Sequence, residues 1–340
     1  MRILAVTNMY PVPEAPTLGM FVEQQIKGLR QIGLDVYVMY VNRFQKGMLV
    51  YVDLPSQLRV QIDRFQPDVV HAMYGGIMAD QVTRTVRDRP TVVTFHGSDL
   101  LGQCLSGRLR NLIANYGVRA SWKAARRSHR IVAVSKILQD ALPDGVDRSK
   151  VRIIPNGIDL ERFKPLDQDE CRKRLGWDPG AFHLLFASNS GDPVKRPELA
   201  QVAVDYLQRQ RIPAEMHYLR GIPNDQVPVW LNASNVLLLT SFHEGSPTII
   251  KEALACNLPI VSVNVGDVSE HINGIEGCYI ALPDPNDLAA KLFLVHCRKG
   301  RVVGRFKMRE FSLERIACQL RIVYDEVVQS SSERTEPTSF

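Results

Sequence analysis

Short β-branched runs alternate with amphipathic stretches from the first residues of the chain. RILAVT (2–7) is apolar throughout apart from its ends, FVEQQIKGLRQIG (21–33) sets Phe21, Val22, Ile26 and Leu29 at helical spacing, and LDVYVMYV (34–41) returns to a strand pattern. The chain therefore opens as a βαβ unit. The same reading predicts strands in PDVVHAMY (67–74), TVVTFHG (91–97), RIVAVS (130–135) and VRIIPN (151–156), each short and followed by turn residues. Strands that are apolar on both faces belong in a parallel sheet covered by helices.

From about residue 166 the alternation restarts, with strands predicted in HLLFAS (183–188), EMHYL (215–219), NVLLLTS (235–241), PIVSVN (259–264) and CYIAL (278–282). Two consecutive doubly wound α/β halves account for this pattern, and 340 residues exceed what one hydrophobic core usually organises. PNGIDLERFKPLDQDE (155–170) is the best linker candidate. We expect one Rossmann-like domain over 1–160, a second over 161–312, a helix over 313–329 that can cross back to the first, and a disordered polar tail over 330–340.

Composition narrows this little. With 45% hydrophobic and 23% charged residues the chain is an ordinary globular protein, and 42 Lys plus Arg against 36 Asp plus Glu gives a net charge of +6, a mild bias toward anionic partners. Six scattered cysteines (Cys104, Cys171, Cys256, Cys278, Cys297, Cys318) form no C-x-x-C pair, so neither a disulfide framework nor a zinc site is indicated, and most are expected to be small buried residues in a reducing cytosol. MRILAVTNMYP lacks the features of a signal peptide, and no stretch approaches the roughly 20 apolar residues of a membrane span. The expected location is cytoplasmic, with membrane contact peripheral at most.

In open α/β sheets ligands sit beyond the carboxyl ends of the strands, which directs attention to four loops. After the first strand, Gly19 either admits a phosphate at a helix start or is a plain turn glycine. After the fourth comes His96-Gly97-Ser98-Asp99, whose histidine either meets a substrate hydroxyl or is structural. After HLLFAS, Lys195 and Arg196 stand at a helix start, where cations are unfavourable unless an anion such as a diphosphate joins them; the alternative is two solvated surface cations.

The fourth loop is FHEGSPTIIKEALA (242–255). Ser246 reads as an N-cap and Pro247 as the first helical residue, so the amides of roughly 247 to 250, including those of Thr248 and Ile249, are available to an anion. Glu244 precedes the cap and Glu252 lies inside the helix. A capping box would put glutamate at 249, which is isoleucine. Two carboxylates beside anion-ready amides would repel a phosphate, so they should accept hydrogen bonds from hydroxyls flanking it, the polyol, diphosphate, polyol layout of a sugar nucleotide.

Glu244 and Glu252, with seven residues between them, G-S-P in the gap and KEALACNLPIV following, resemble the E-x7-E signature of retaining glycosyltransferases of family GT4. The resemblance extends over the VTNMYP loop with Gly19, FHGSD and IIPNGID (153–159). It implies the GT-B fold, two Rossmann-like domains facing across a cleft, with the acceptor on the N-terminal side and the donor on the C-terminal side. It further implies that the Gly19 loop contacts the donor diphosphate, His96 lies at the donor sugar, Lys195 neutralises the diphosphate, Glu244 holds sugar hydroxyls and Glu252 holds ribose hydroxyls. One departure is that the family pairs its lysine with an arginine soon after the preceding strand, where this chain has Ser188-Asn189-Ser190; Arg196 is the candidate substitute.

Asp167-Gln168-Asp169 is formally a D-x-D pair, but it precedes a helical ECRKRLG and reads better as helix N-terminal charge. No essential metal or other cofactor is expected beyond the nucleotide-sugar co-substrate. RASWKAARRSHR (119–130) is a basic stretch with Trp122 that either lies on anionic lipid or packs as an ordinary helix. RKGRVVGRFKMR (298–309) has six cations and reads as a solvated turn, not a nucleic-acid site. The expected activity is retaining, metal-independent sugar transfer to a glycan or lipid-linked sugar acceptor, in cell-surface polysaccharide or glycolipid assembly. The alternatives are a sugar-nucleotide epimerase or hydrolase on the same fold, and a non-catalytic nucleotide-sugar-binding partner. A nicotinamide dehydrogenase is disfavoured because the first βα turn lacks its glycine fingerprint.

Overall fold

The computed structural model describes residues 1–102, 108–187 and 193–332. The chain divides into two compact units, Met1–Gly157 together with the segment from Leu313 onward, and Ile158–Ser312.

In the first unit six parallel strands, β1 (Arg2–Thr7), β2 (Asp35–Tyr40), β3 (Val69–Ala72), β4 (Thr91–Phe95), β5 (Arg130–Ala133) and β6 (Val151–Ile153), lie in the order β2-β1-β3-β4-β5-β6. Alternate residues of β1 feed opposite faces. Leu4 and Val6 join a core under helices α1 (Val50–Phe65), α2 (Gly76–Thr85) and α3 (Arg108–Arg127), through Leu54, Leu58, Met78 and Ala124. Ile3 and Ala5 join a second core with the helix Met20–Gln31 and the C-terminal helix Leu313–Ser332, through Ile26, Leu29, Leu320 and Tyr324. These last two helices touch closely at Gly28, where an added Cβ would stand 2.7 Å from the Leu313 carbonyl oxygen. The Tyr324 hydroxyl also reaches His71 Nδ1 at 2.7 Å, and His71 Nε2 reaches Thr94 Oγ1 at 2.7 Å, inside the sheet. The helix continues to Ser332, so the first residues of the expected tail are helical; the remainder of that tail, 333–340, lies outside the described residues.

The second unit repeats the winding. Strands β7 (Phe182–Phe186), β8 (Ala214–Tyr218), β9 (Val236–Leu239), β10 (Ile260–Val263) and β11 (Tyr279–Ala281) are parallel in the order β11-β10-β9-β7-β8. Their core includes Leu184, Phe186, Leu237, Leu239 and Ile260, and Ile158 and Phe163 of the expected linker are buried in it. In both sheets the strand order reverses between the first and third strands, β1/β3 and β7/β9, so a crevice opens beyond the carboxyl ends of each pair.

Candidate functional site

In the second unit the segments leaving β7 and β9 are tied together. The Thr240 hydroxyl lies 2.7 Å from the Lys195 carbonyl and 3.0 Å from that of Arg196, and the Phe242 amide donates to the Val194 carbonyl at 2.8 Å. This seam brings Lys195, at the end of a short turn Pro193–Lys195, onto Glu244: Lys195 Nζ and Glu244 Oε1 form an ion pair, and Ser241 Oγ donates to the same carboxylate oxygen at 2.7 Å. The two side chains are only 25% and 15% exposed, so solvent screens their attraction incompletely.

Arg196 faces elsewhere. Its Nε donates to the Thr240 carbonyl at 2.5 Å and Nη2 to that of Ser241 at 3.3 Å, with the guanidinium 4.3 Å above the Phe242 ring. Two of its donors are therefore committed to backbone at the end of β9, where it braces the loop. Ser188-Asn189-Ser190, the position of the departure from the GT4 pattern, lies outside the described residues.

The helix of the E-x7-E stretch spans Thr248–Ala255 with Pro247 at its cap position, and no side chain caps it. The expectation that Ser246 is the N-cap is corrected. Its hydroxyl donates to Asp267 Oδ2 at 2.6 Å and accepts from Lys251 Nζ at 2.7 Å, while His271 Nε2 stands 3.1 Å from the same Asp267 oxygen. The reason is the fully buried Lys251, whose ammonium requires partners more than the helix end requires a cap. Burial pushes its pKa down to about 8 although Asp267 and Glu252 pull it back up. Gly266, at φ 56, lets the following loop approach, since a Cβ there would stand 3.0 Å from the Gly245 carbonyl oxygen. The set of available amides is also narrower than 247 to 250: proline has none, and Ile250 donates to the Pro247 carbonyl at 3.2 Å. Thr248 and Ile249 remain as helix-start donors, at the positive end of the helix dipole.

Glu252 lies one turn further in, only 8% exposed. Burial pushes its pKa up to about 7, against the pull of Arg162 and Lys251. Beyond the carboxyl ends of β9, β10 and β11 a cavity of about 740 Å³ is lined by Arg196, Phe242, Val263, Val265, Ile280 and Leu282 among others, large enough for a nucleoside.

In the first unit, Gly19 starts the helix Met20–Gln31 at φ 64, and a Cβ there would stand 2.2 Å from the Met9 carbonyl carbon. The close approach of the loop to itself thus requires glycine. His96 follows β4 with its ring centroid 4.3 Å from that of Phe21 and stacked within 11° on Tyr74; its Nε2 donates to the Met73 carbonyl at 3.1 Å. Burial pushes its pKa down to about 3, so the ring is neutral. Sequence reasoning missed Asp99, whose carboxylate accepts the amides of Gly75 (3.0 Å), His96 (3.1 Å) and Gly97 (2.7 Å) and so shapes the turn that presents His96. Its only sequence signal was its place in the polar cluster after β4, because its carboxylate accepts amides that precede it in the chain, the reverse of an Asx turn.

Three other stretches singled out in the sequence have defined places in the fold. Asp167 caps the helix Gln168–Leu175, accepting the Glu170 amide at 2.8 Å, in agreement with the helix-charge reading. In 119–130, Trp122 packs on the core, Arg127 pairs with Asp80 at 2.7 Å, and Arg130 sits on β5 paired with Glu326 at 3.2 Å. The basic run 298–309 is not a solvated turn: Arg301 donates to the carbonyls of Leu231 and Asn232, and Arg305 to those of Leu160, Phe163 and Ala255. Guanidinium forks satisfy carbonyls that helix ends leave open. Of the described cysteines all are free, and Cys297 and Cys318 are exposed, not buried. Among the described residues no helix is long and apolar enough to cross a membrane.

Comparison with known proteins places two descriptions along the chain in succession, Glycosyltransferase Family 4 over residues 18–162 and Glycosyl transferases group 1 over residues 174–295. A Bacillus subtilis glycosyltransferase named for teichuronic acid biosynthesis is 28% identical, across 79% of this chain and 82% of its own. Among solved structures, sucrose-phosphate synthase from Thermosynechococcus elongatus superposes with a TM-score of 0.77 at 15% identity, covering 97% of this chain and 100% of that one. An Anabaena protein in complex with UDP gives 0.64 at 17% identity, covering 98% and 100%. The likeness to the solved structures is one of fold.

Proposed function

The chain belongs to glycosyltransferase family 4, and from that premise we propose that it is a retaining transferase moving a sugar from a nucleotide-diphosphate donor to a hydroxyl acceptor without an essential metal. One observation carries the reading: beyond β7 and β9 the Lys195–Glu244 ion pair, the helix-start amides of Thr248 and Ile249 and the buried Glu252 are held on two laced segments and the helix Thr248–Ala255 that continues one of them. Lys195 and the two amides stabilise the diphosphate as the bond from the anomeric carbon to its oxygen breaks, which is electrostatic catalysis. The electron pair passes to that phosphate oxygen, which takes the acceptor's hydroxyl proton while the new carbon–oxygen bond forms on the same face. No protein nucleophile is needed.

Glu244 accepts hydroxyls of the donor sugar and Glu252 those of the ribose, and the nucleoside takes the cavity beyond β9–β11. Because Lys195 is already paired with Glu244, a diphosphate oxygen shares its ammonium with that carboxylate, which links the two ends of the donor. His96, neutral, is assigned a hydrogen bond to a sugar hydroxyl. The UDP complex of the Anabaena neighbour supports a nucleotide donor, and the teichuronic acid relative supports a place in polysaccharide assembly.

The test is transfer from the donor that most raises thermal stability in a screen of nucleotide sugars. Glu244→Gln and Lys195→Ala are each expected to lower kcat/KM about 100-fold or more, with chelator leaving the wild-type rate unchanged. Near-wild-type transfer in either variant overturns the assignment, and rapid donor turnover without acceptor points instead to an epimerase or hydrolase.

A further inference from the structure

Three side chains unconnected with the donor crevice meet on the outer part of the second sheet. In the parallel register of β7 with the edge strand β8, His183 stands beside Glu215, and His217 follows two residues on. His183 Nδ1 lies 2.9 Å from His217 Nε2, and Glu215 Oε2 lies 3.6 Å from the former and 3.8 Å from the latter. Two imidazoles and a carboxylate bound to one tetrahedral ion at about 2.0–2.1 Å hold their ligand atoms about 3.4 Å apart. The three distances bracket that value.

We propose that His183, Glu215 and His217 bind one divalent transition-metal ion of the zinc class, which clamps β8 to β7.

The surroundings prepare each ligand. His183 Nε2 donates to the Asp178 carbonyl at 2.7 Å, so in the neutral ring the lone pair is at Nδ1, the atom that faces the other two. A carbonyl on the far nitrogen is the usual device that fixes tautomer and orientation in a metal-bound histidine. His217 is held flat against Trp177, with centroids 3.6 Å apart and planes within 9°, and Trp230 stands edge-on to it. His183 is fully buried while Glu215 is 49% exposed, so the cluster is open to solvent on the carboxylate side. Paired imidazoles with one carboxylate favour zinc over magnesium or calcium, which take oxygen sets.

Trp177 and Asp178 belong to the connection that enters the amino end of β7, whereas the donor residues lie past the carboxyl ends of β7 and β9. The ion is therefore structural and takes no part in transfer. Cysteine spacing gave no sign of it because its ligands are two histidines and a glutamate on two strands, the histidines 34 residues apart in the chain.

The test uses the full untagged chain, stripped with chelator and titrated with Co²⁺ and Zn²⁺. Visible Co²⁺ d–d bands that Zn²⁺ displaces, one ion per chain, and a raised melting temperature with Zn²⁺ are expected. Loss of outer-shell partners weakens metal sites roughly 10- to 100-fold, so loss of a direct ligand in His217→Ala should weaken binding at least about 100-fold and Glu215→Gln at least about 10-fold. Glu215, half exposed, can be replaced without disturbing the core, so that variant decides if His217→Ala does not fold. Absence of stoichiometric binding by the wild type, or wild-type affinity in the variants, overturns the proposal.

Discussion

A carboxyl group buried inside a helix has to be explained by what its charge is for. Glu252 ionises near 4.5 in an unfolded chain and near 7 here. Between those values the folded chain keeps a proton that the unfolded chain has released, so the group's contribution makes stability fall as pH rises from about 4.5 to 7, and above 7 the loss is complete, on the order of 3 kcal/mol. Glu252→Gln should flatten the dependence of melting temperature on pH over that interval and leave the variant more stable than wild type at pH 8. A role at the ribose hydroxyls requires the same variant to bind nucleotide about 10-fold more weakly; a gain in stability with unchanged affinity would make Glu252 a packing residue only. The spacing of Glu244 and Glu252 was legible in the sequence because both lie in one local stretch. The Lys195–Glu244 pair and the Ser246–Asp267–Lys251 network were not, since they join residues 49 and 21 positions apart, and a buried lysine looks on paper like any surface cation.

At the scale of elements the strands were the most legible feature: each predicted β run overlaps a strand, because residues such as Ile3, Leu4, Val236 and Leu237 are buried on both faces of covered sheets and carry a continuous apolar signal. Helix ends were less legible, because their open carbonyls are met from afar, as Arg305 does for Ala255. Close helix contacts were invisible for the same reason. Gly28 resembles any helical glycine until the C-terminal helix is laid beside it. Gly28→Ala gains helix propensity but drives a methyl group to 2.7 Å from the Leu313 carbonyl, and overpacking of this kind costs about 1–3 kcal/mol. Urea denaturation should show the loss in midpoint; an unchanged or higher midpoint would mean that this contact yields freely.

Taken whole, the molecule uses one winding twice and differentiates the copies by the residues set at their strand ends. The first unit places Gly19 and a neutral His96 there, shaped by Asp99; the second places a cation, two helix amides and two carboxylates. The central claim is that the second set grips a diphosphate. The most direct measurement is calorimetric affinity of the wild type and Lys195→Ala for a nucleoside diphosphate and its monophosphate, with the nucleoside chosen by thermal shift. Charge-assisted hydrogen bonds contribute about 1.5–3 kcal/mol each, so the wild type should bind the diphosphate about 10- to 100-fold more tightly, and Lys195→Ala should lose most of that preference. Equal affinity for the two nucleotides in the wild type, or an undiminished preference in the variant, would contradict the account.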